Sequence, residues 1–161
     1  MKAKELLKKL KEEAKDFGIY DIIDIKVFLE KDAKYLPEKY RESYINAMLK
    51  YFLDTFKELK RLNLEDIEDY EIDENLYRKL IERIENFRRY NTKEEEKFIK
   101  LSKIICPYLR FIAKKPFHPE YLIFPGGLKI IKKGNIYYCP VKNKQLNKYS
   151  LCEFCISKPL N

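Results

Sequence analysis

Four cysteines, Cys106, Cys139, Cys152 and Cys155, and a single histidine, His118, are the side chains of this chain best suited to chemistry. Cys152-Glu153-Phe154-Cys155 is a C-x-x-C, a spacing that lets two thiolates reach one metal from a single turn. Cys139 stands at the end of a predicted β-strand and Cys106 on a predicted helix. Each is followed by proline, Pro107 and Pro140, a pairing common beside iron–sulfur ligands. Zinc ribbons present two C-x-x-C knuckles, and this chain has one. One close pair with two distant single cysteines therefore points to a [4Fe–4S] cluster ahead of Zn2+, with all four cysteines as ligands. The competing reading is ordinary buried cysteines that fill core. A redox C-x-x-C of thioredoxin type needs a βαβ context that is missing before Cys152. His118, in the loop Phe117-His118-Pro119, is a candidate accessory ligand or proton donor, against the plainer role of satisfying a local hydrogen bond.

The charge around these residues is lopsided. Residues 1–96 hold 21 Lys/Arg and 24 Asp/Glu, whereas residues 97–161 hold 13 Lys/Arg and 2 Asp/Glu, so the latter account for +11 of a chain whose net charge is +8. Ten aromatic residues are interleaved with those cations. Lys129, Lys132, Lys133, Tyr137 and Tyr138 lie in or beside a predicted hairpin, and Lys142, Lys144 and Lys148 follow it. Lysines can neutralise phosphates and tyrosines can stack on bases. Arg110 is the one arginine of this part, which argues for binding without sequence preference.

These residues need a scaffold, and the apolar periodicity predicts a mainly α protein. About five helices form a bundle, followed by a small C-terminal β-hairpin and the cysteine-rich metal-binding region. Leu6, Leu7, Leu10, Ala14 and Phe17 predict a first helix over residues 2–16, with Gly18 as its stop. Asp21 is placed to cap a second. The third, expected from about Pro37 to Leu62, carries the stripe Ile45, Met48, Leu49, Phe52, Phe56 and Leu59. Asp73 can cap the fourth, and Thr92 with Glu95 forms a capping-box pattern opening the fifth. That fifth helix contains Cys106, and Pro107 should kink or end it. Strands are expected over Leu128–Lys132 and Ile136–Cys139, joined through Lys133-Gly134-Asn135, and a short helix over Gln145–Phe154. A chain of 161 residues is read as one domain, with a helical body over 1–113 and a basic cysteine-containing subregion over 114–161 packed on it. No apolar run is long enough to span a bilayer. The amphipathic start is not a signal peptide, which places the protein in the cytoplasm with reduced thiols. Abundant lysine, glutamate and isoleucine lean toward a thermophilic or archaeal source.

The ordered set Phe117-His118-Pro119, Phe124-Pro125-Gly126-Gly127, Tyr138-Cys139-Pro140 and Cys152-x-x-Cys155 resembles an uncharacterised archaeal family, found mainly in methanogens and known as a domain of unknown function. The resemblance covers most of the chain. It implies an archaeal, cytoplasmic source and no particular activity.

Three functions follow from the residues. The first is a basic metal-binding protein, with the metal or cluster holding the fold and the basic region binding nucleic acid. The second is an iron–sulfur redox or enzymatic protein. The third is a helical scaffold that binds another protein and carries a structural metal. No nucleotide loop, nucleophile triad or acid pair is recognisable, so no reaction can be named.

Overall fold

The computed structural model describes residues 1–142, 144 and 148–160. Five α-helices, α1 (Ala3–Ala14), α2 (Ile19–Asp32), α3 (Glu38–Arg61), α4 (Glu74–Glu85) and α5 (Lys93–Pro107), precede a small sheet of β1 (Ile131–Lys133), β2 (Ile136–Cys139) and β3 (Lys158–Pro159). The architecture is mainly helical, as the periodicity predicts, with the sheet at the C-terminal side. Among the described residues no helix is long and apolar enough to cross a membrane.

The helix starts follow from their capping residues. Asp73 accepts the Leu76 N–H at 3.0 Å, and Thr92 accepts the Glu95 N–H at 3.2 Å, so each satisfies an amide that a helix start leaves unpaired. Helix α2 begins two residues before Asp21, the predicted cap. Asp21 instead sits inside the first turn, and its carboxylate accepts the Gly18 N–H at 2.8 Å. The acidic 63–72 stretch between α3 and α4 contains a 3₁₀ turn over Leu64–Asp66.

Helix α5 is the centre of the fold. It packs against α1, α2, α3 and α4, and Ile99, Leu101, Ser102, Ile104, Ile105 and Cys106 are all buried. A helix surrounded on several sides buries more than one face, which is why Ser102 and Cys106 are inside as well. Pro107 ends the regular α-helix, and the chain continues as a π-helical turn over Tyr108–Ala113. Proline has no N–H to donate and its ring crowds the carbonyl four residues back, so the backbone widens rather than stopping. The turn closes at Lys114, whose φ of 56° is left-handed.

The C-terminal part departs further from expectation. β1 and β2 pair antiparallel with Lys132 opposite Tyr137, and Gly134, at φ 62°, begins the two-residue turn. β1 begins three residues later than predicted, since Leu128 instead bridges back to Phe124 across a turn in which Gly126 and Gly127 both have positive φ. β3, which no sequence pattern announces, adds to β2 in parallel with Tyr138 opposite Lys158. Of the expected helix over Gln145–Phe154, the described residues contain a 3₁₀ turn over Cys152–Phe154, and Gln145 lies outside the described residues. One cluster of buried side chains runs from Ala3 on α1 to Phe154 beside the C-x-x-C.

Candidate metal centre

Three separate parts of the chain deliver the four cysteines. Cys106 is in the last turn of α5, Cys139 ends β2, and Cys152 and Cys155 bracket the 3₁₀ turn. All four, with His118, line one cavity of about 360 Å³. All four are free thiols; Cys106 and Cys139 are buried, Cys152 and Cys155 half-buried. Among the described residues, however, no three His, Cys, Asp or Glu side chains converge closely enough to hold one metal ion. The thiols stand around the cavity rather than meeting at a point.

Hydrogen bonds and charges define the environment of each sulfur. The Phe117 N–H donates to Cys155 Sγ at 3.4 Å. The backbone amides of Val141 and Lys142 face the Cys139 sulfur and favour its thiolate, though burial outweighs them and raises that thiol. This is the knuckle that Pro140 turns. Burial, with the Cys155 sulfur as a second cause, pushes Cys106 up to about 12. A metal bound there would have to displace protons from Cys106 and Cys139, which would tie its affinity to pH. Lys142 brings a positive charge to the site: its Nζ donates to the Cys155 carbonyl at 2.7 Å and also to the Ser157 carbonyl.

The segment carrying the C-x-x-C is held from a distance by Arg83 of α4. Its guanidinium donates to the Ser150 carbonyl at 2.8 Å, pairs with Glu153 and lies over the Phe154 ring at 5.1 Å. Tyr51 of α3 donates to the Pro116 carbonyl at 2.5 Å and so fixes the loop whose next amide bonds Cys155. Arg83 and Tyr51 carry no sequence signal of these roles. Each partner is more than sixty positions away, and only the folded chain juxtaposes them.

His118 lies in the cavity wall with its ring edge-on to Phe124 at 5.5 Å. Burial lowers it to about 4, so the imidazole is neutral at pH 7, the form that binds metals. Of the basic-region residues, Lys129, Lys132, Lys133, Lys144 and Lys148 are exposed, whereas Tyr137 and Tyr138 are half-buried. Tyr137 packs against the core. Lys132 lies 5.3 Å from the Tyr137 ring and Lys133 5.8 Å from that of Tyr138. Lys142 is half-buried, and its ammonium is engaged with carbonyls inside the protein, so it belongs to the thiol site rather than to the outer surface.

Fold and site together define a helical protein closed by a small sheet, with a thiol-walled cavity where the two meet. The chain belongs to the family described as an uncharacterised protein conserved in archaea, DUF2115, whose model matches residues 2–159. It is 61% identical over 161 residues to a UPF0305 protein of Methanocaldococcus jannaschii, covering 100% of this chain and 98% of the relative. Identity is 44% to a UPF0305 protein of Methanococcus maripaludis strain C6, covering 100% and 99%. It is 34% over 155 residues to one from Methanothermobacter thermautotrophicus, covering 95% and 93%. No solved structure matches the chain.

Proposed function

We propose that this protein binds a metal centre on Cys106, Cys139, Cys152 and Cys155, with a [4Fe–4S] cluster ahead of Zn2+. The observation that carries the reading is that four thiols from three distant parts of the chain wall one cavity. A zinc ion wants four donors tetrahedrally about one point, whereas the cysteines of a cluster bind different irons and stand further apart. Thiols spread around a cavity suit the second arrangement better. The Lys142 ammonium and the amides of Phe117, Val141 and Lys142 suit a centre carrying excess thiolate charge. Such a centre would tie α5 to β2 and to the C-x-x-C segment, so loading should stabilise the fold. The reading requires reduced thiols and hence a reducing, cytoplasmic setting.

The test is anaerobic reconstitution with iron and sulfide, in parallel with zinc loading. Expected is a brown protein with about four irons per chain, as the cluster formula requires, that bleaches with dithionite. Single Cys→Ser variants should lose it. A colourless protein that takes up stoichiometric zinc would replace the cluster by zinc. A protein that retains neither metal would end the reading.

A second reading is that the exposed hairpin binds nucleic acid without sequence preference. Its support is the pairing of Lys132 with Tyr137 and Lys133 with Tyr138 on a surface that also presents Lys129. Tyr137 and Tyr138 are half-buried, which favours phosphate contacts over base stacking. Binding should therefore weaken steeply with added salt, and a Lys129/Lys132/Lys133→Ala triple variant should flatten the slope. Absence of salt-sensitive binding to single- and double-stranded DNA and RNA would remove it.

A further inference from the structure

Besides the thiols, the cavity is walled by residues that have no role in holding metal. Ile99, Ser102 and Cys106 all line it, and they lie on one face of α5 at i, i+3 and i+7. At 1.5 Å per residue the space therefore runs about 11 Å along the helix, from the thiols toward the start of α5. Its walls along that length are apolar, with Leu29, Met48, Phe52 and Phe98 among them. The cavity reaches solvent beside Tyr35, which lines it and is 72% exposed. The whole cavity, the space beside the thiols included, is about 360 Å³, at the low end of small-molecule sites, roughly 300–1,000 Å³.

The two ends carry polar groups. At the outer end Arg89 and Asp32 both line the cavity; one guanidinium nitrogen is bonded to Asp32 Oδ1 at 2.9 Å, the guanidinium lies 4.5 Å from the Phe87 ring and 6.0 Å from that of Tyr149, and its other N–H groups make no hydrogen bond among the described residues. The Arg89 backbone is held by the buried Glu95, so the guanidinium is presented from a rigid corner. At the inner end the Ser157 hydroxyl is buried and makes no hydrogen bond among the described residues. A buried hydroxyl left without a partner is a polar contact awaiting one.

We propose that this cavity binds a small elongated molecule with an apolar body and an anionic end, the anion on Arg89 and the other end beside Ser157 and the thiols. The ligand enters past Tyr35, and its body replaces water against the Phe52 and Phe98 walls. Arg89 distinguishes it from a neutral molecule of the same length. This goes beyond the metal reading and does not depend on it, because it rests on the apolar walls and on Arg89, neither of which is a thiol ligand.

The test uses octanoate as the probe and 1-octanol as its uncharged control, titrated by calorimetry and by amide chemical-shift mapping on the full chain, both metal-free and loaded. Expected is one saturable octanoate site, with shifts along α5 and at residues 87–90. Arg89→Gln should weaken octanoate about fivefold to tenfold, the loss of one charge-assisted bond at a partly exposed rim, and leave 1-octanol unchanged. Ser102→Leu, which fills the middle of the cavity without touching Arg89, should weaken both. If Arg89→Gln unfolds the chain because Asp32 is left unpaired, the Arg89→Gln/Asp32→Asn double variant serves in its place. The proposal is overturned if octanoate shows no saturable site. It is equally overturned if 1-octanol binds as tightly as octanoate, or if neither substitution weakens the carboxylate. Metal content and the absorption spectrum are read separately, so failure of the metal centre and failure of the ligand site are distinguishable.

Discussion

Replacement of Glu95 by glutamine should destabilise the fold by about 2–3 kcal/mol. Its side chain is fully buried at the start of α5. The carboxylate accepts three consecutive backbone amides: Arg89 N at 2.9 Å, Tyr90 N at 3.1 and 3.2 Å, and Asn91 N at 3.0 Å. These bonds close the corner between α4 and α5, where Asn91 takes the left-handed φ of 52°. Glutamine keeps one accepting oxygen and puts an NH2 donor where the other stood, so at least one amide faces a donor and stays unpaired. An unsatisfied buried amide costs about 1–3 kcal/mol, and turning the remaining charged bonds neutral costs about 0.5–1 kcal/mol each. Removing a buried charge returns part of this, which leaves about 2–3 kcal/mol. Glu95→Ala orphans all three amides and should cost more, about 3–5 kcal/mol. Urea unfolding of the metal-free chain measures both, read as a shift of midpoint at constant slope. A Glu95→Gln change below about 0.5 kcal/mol, within the range of ordinary surface substitutions, would refute the reasoning. So would an alanine variant more stable than the glutamine one.

Three further outcomes are expected. Arg83→Met removes the hold on Ser150 and Glu153, and should lower metal retention about tenfold in chelator competition, the scale of outer-shell substitutions, while the helical circular dichroism is kept. Tyr51→Phe deletes the bond to the Pro116 carbonyl. It should cost about 1 kcal/mol and alter the absorption of the loaded centre, because the Phe117 amide that bonds Cys155 is then less well fixed. His118 is neutral when folded because burial lowers it to about 4, against about 6.5 in the unfolded chain. The unfolded chain takes up that proton first, so stability falls as pH drops from about 6.5 toward 4. His118→Phe should remove this part of the loss, as read from urea midpoints at pH 7 and pH 5.

Much of the helical scaffold was legible in the sequence because its signals are local. Leu6, Leu7, Leu10 and Ala14 share one face by spacing alone, and Asp73 and Thr92 mark helix starts by bonding amides only three residues away. The capping box at Thr92 was legible too, but not its extent: that Glu95 collects Arg89, Tyr90 and Asn91 depends on how the preceding corner folds back. Pro107 announced a disturbance, yet the choice between a break and a π turn was made by the packing of Tyr108, Leu109 and Phe111 into the core. β3 escaped notice because two residues paired in parallel to a strand about twenty positions earlier leave no periodicity to read.

By itself the sequence determined the helical class, the amphipathic faces, the concentration of positive charge after residue 96 and the four cysteines as candidate ligands. All of these depend on residue type and on neighbours a few positions apart. The tertiary structure decided the rest. It gathered Cys106, Cys139, Cys152 and Cys155 around a single cavity and kept them from converging on one point. Lys142 was taken out of the outer basic surface and placed against the Cys155 carbonyl, and Arg83 and Tyr51 were set as supports for the thiol segments. These are contacts between residues 13 to 70 positions apart, fixed by the way the C-terminal part packs against α3, α4 and α5, and spacing along the chain carries no information about them.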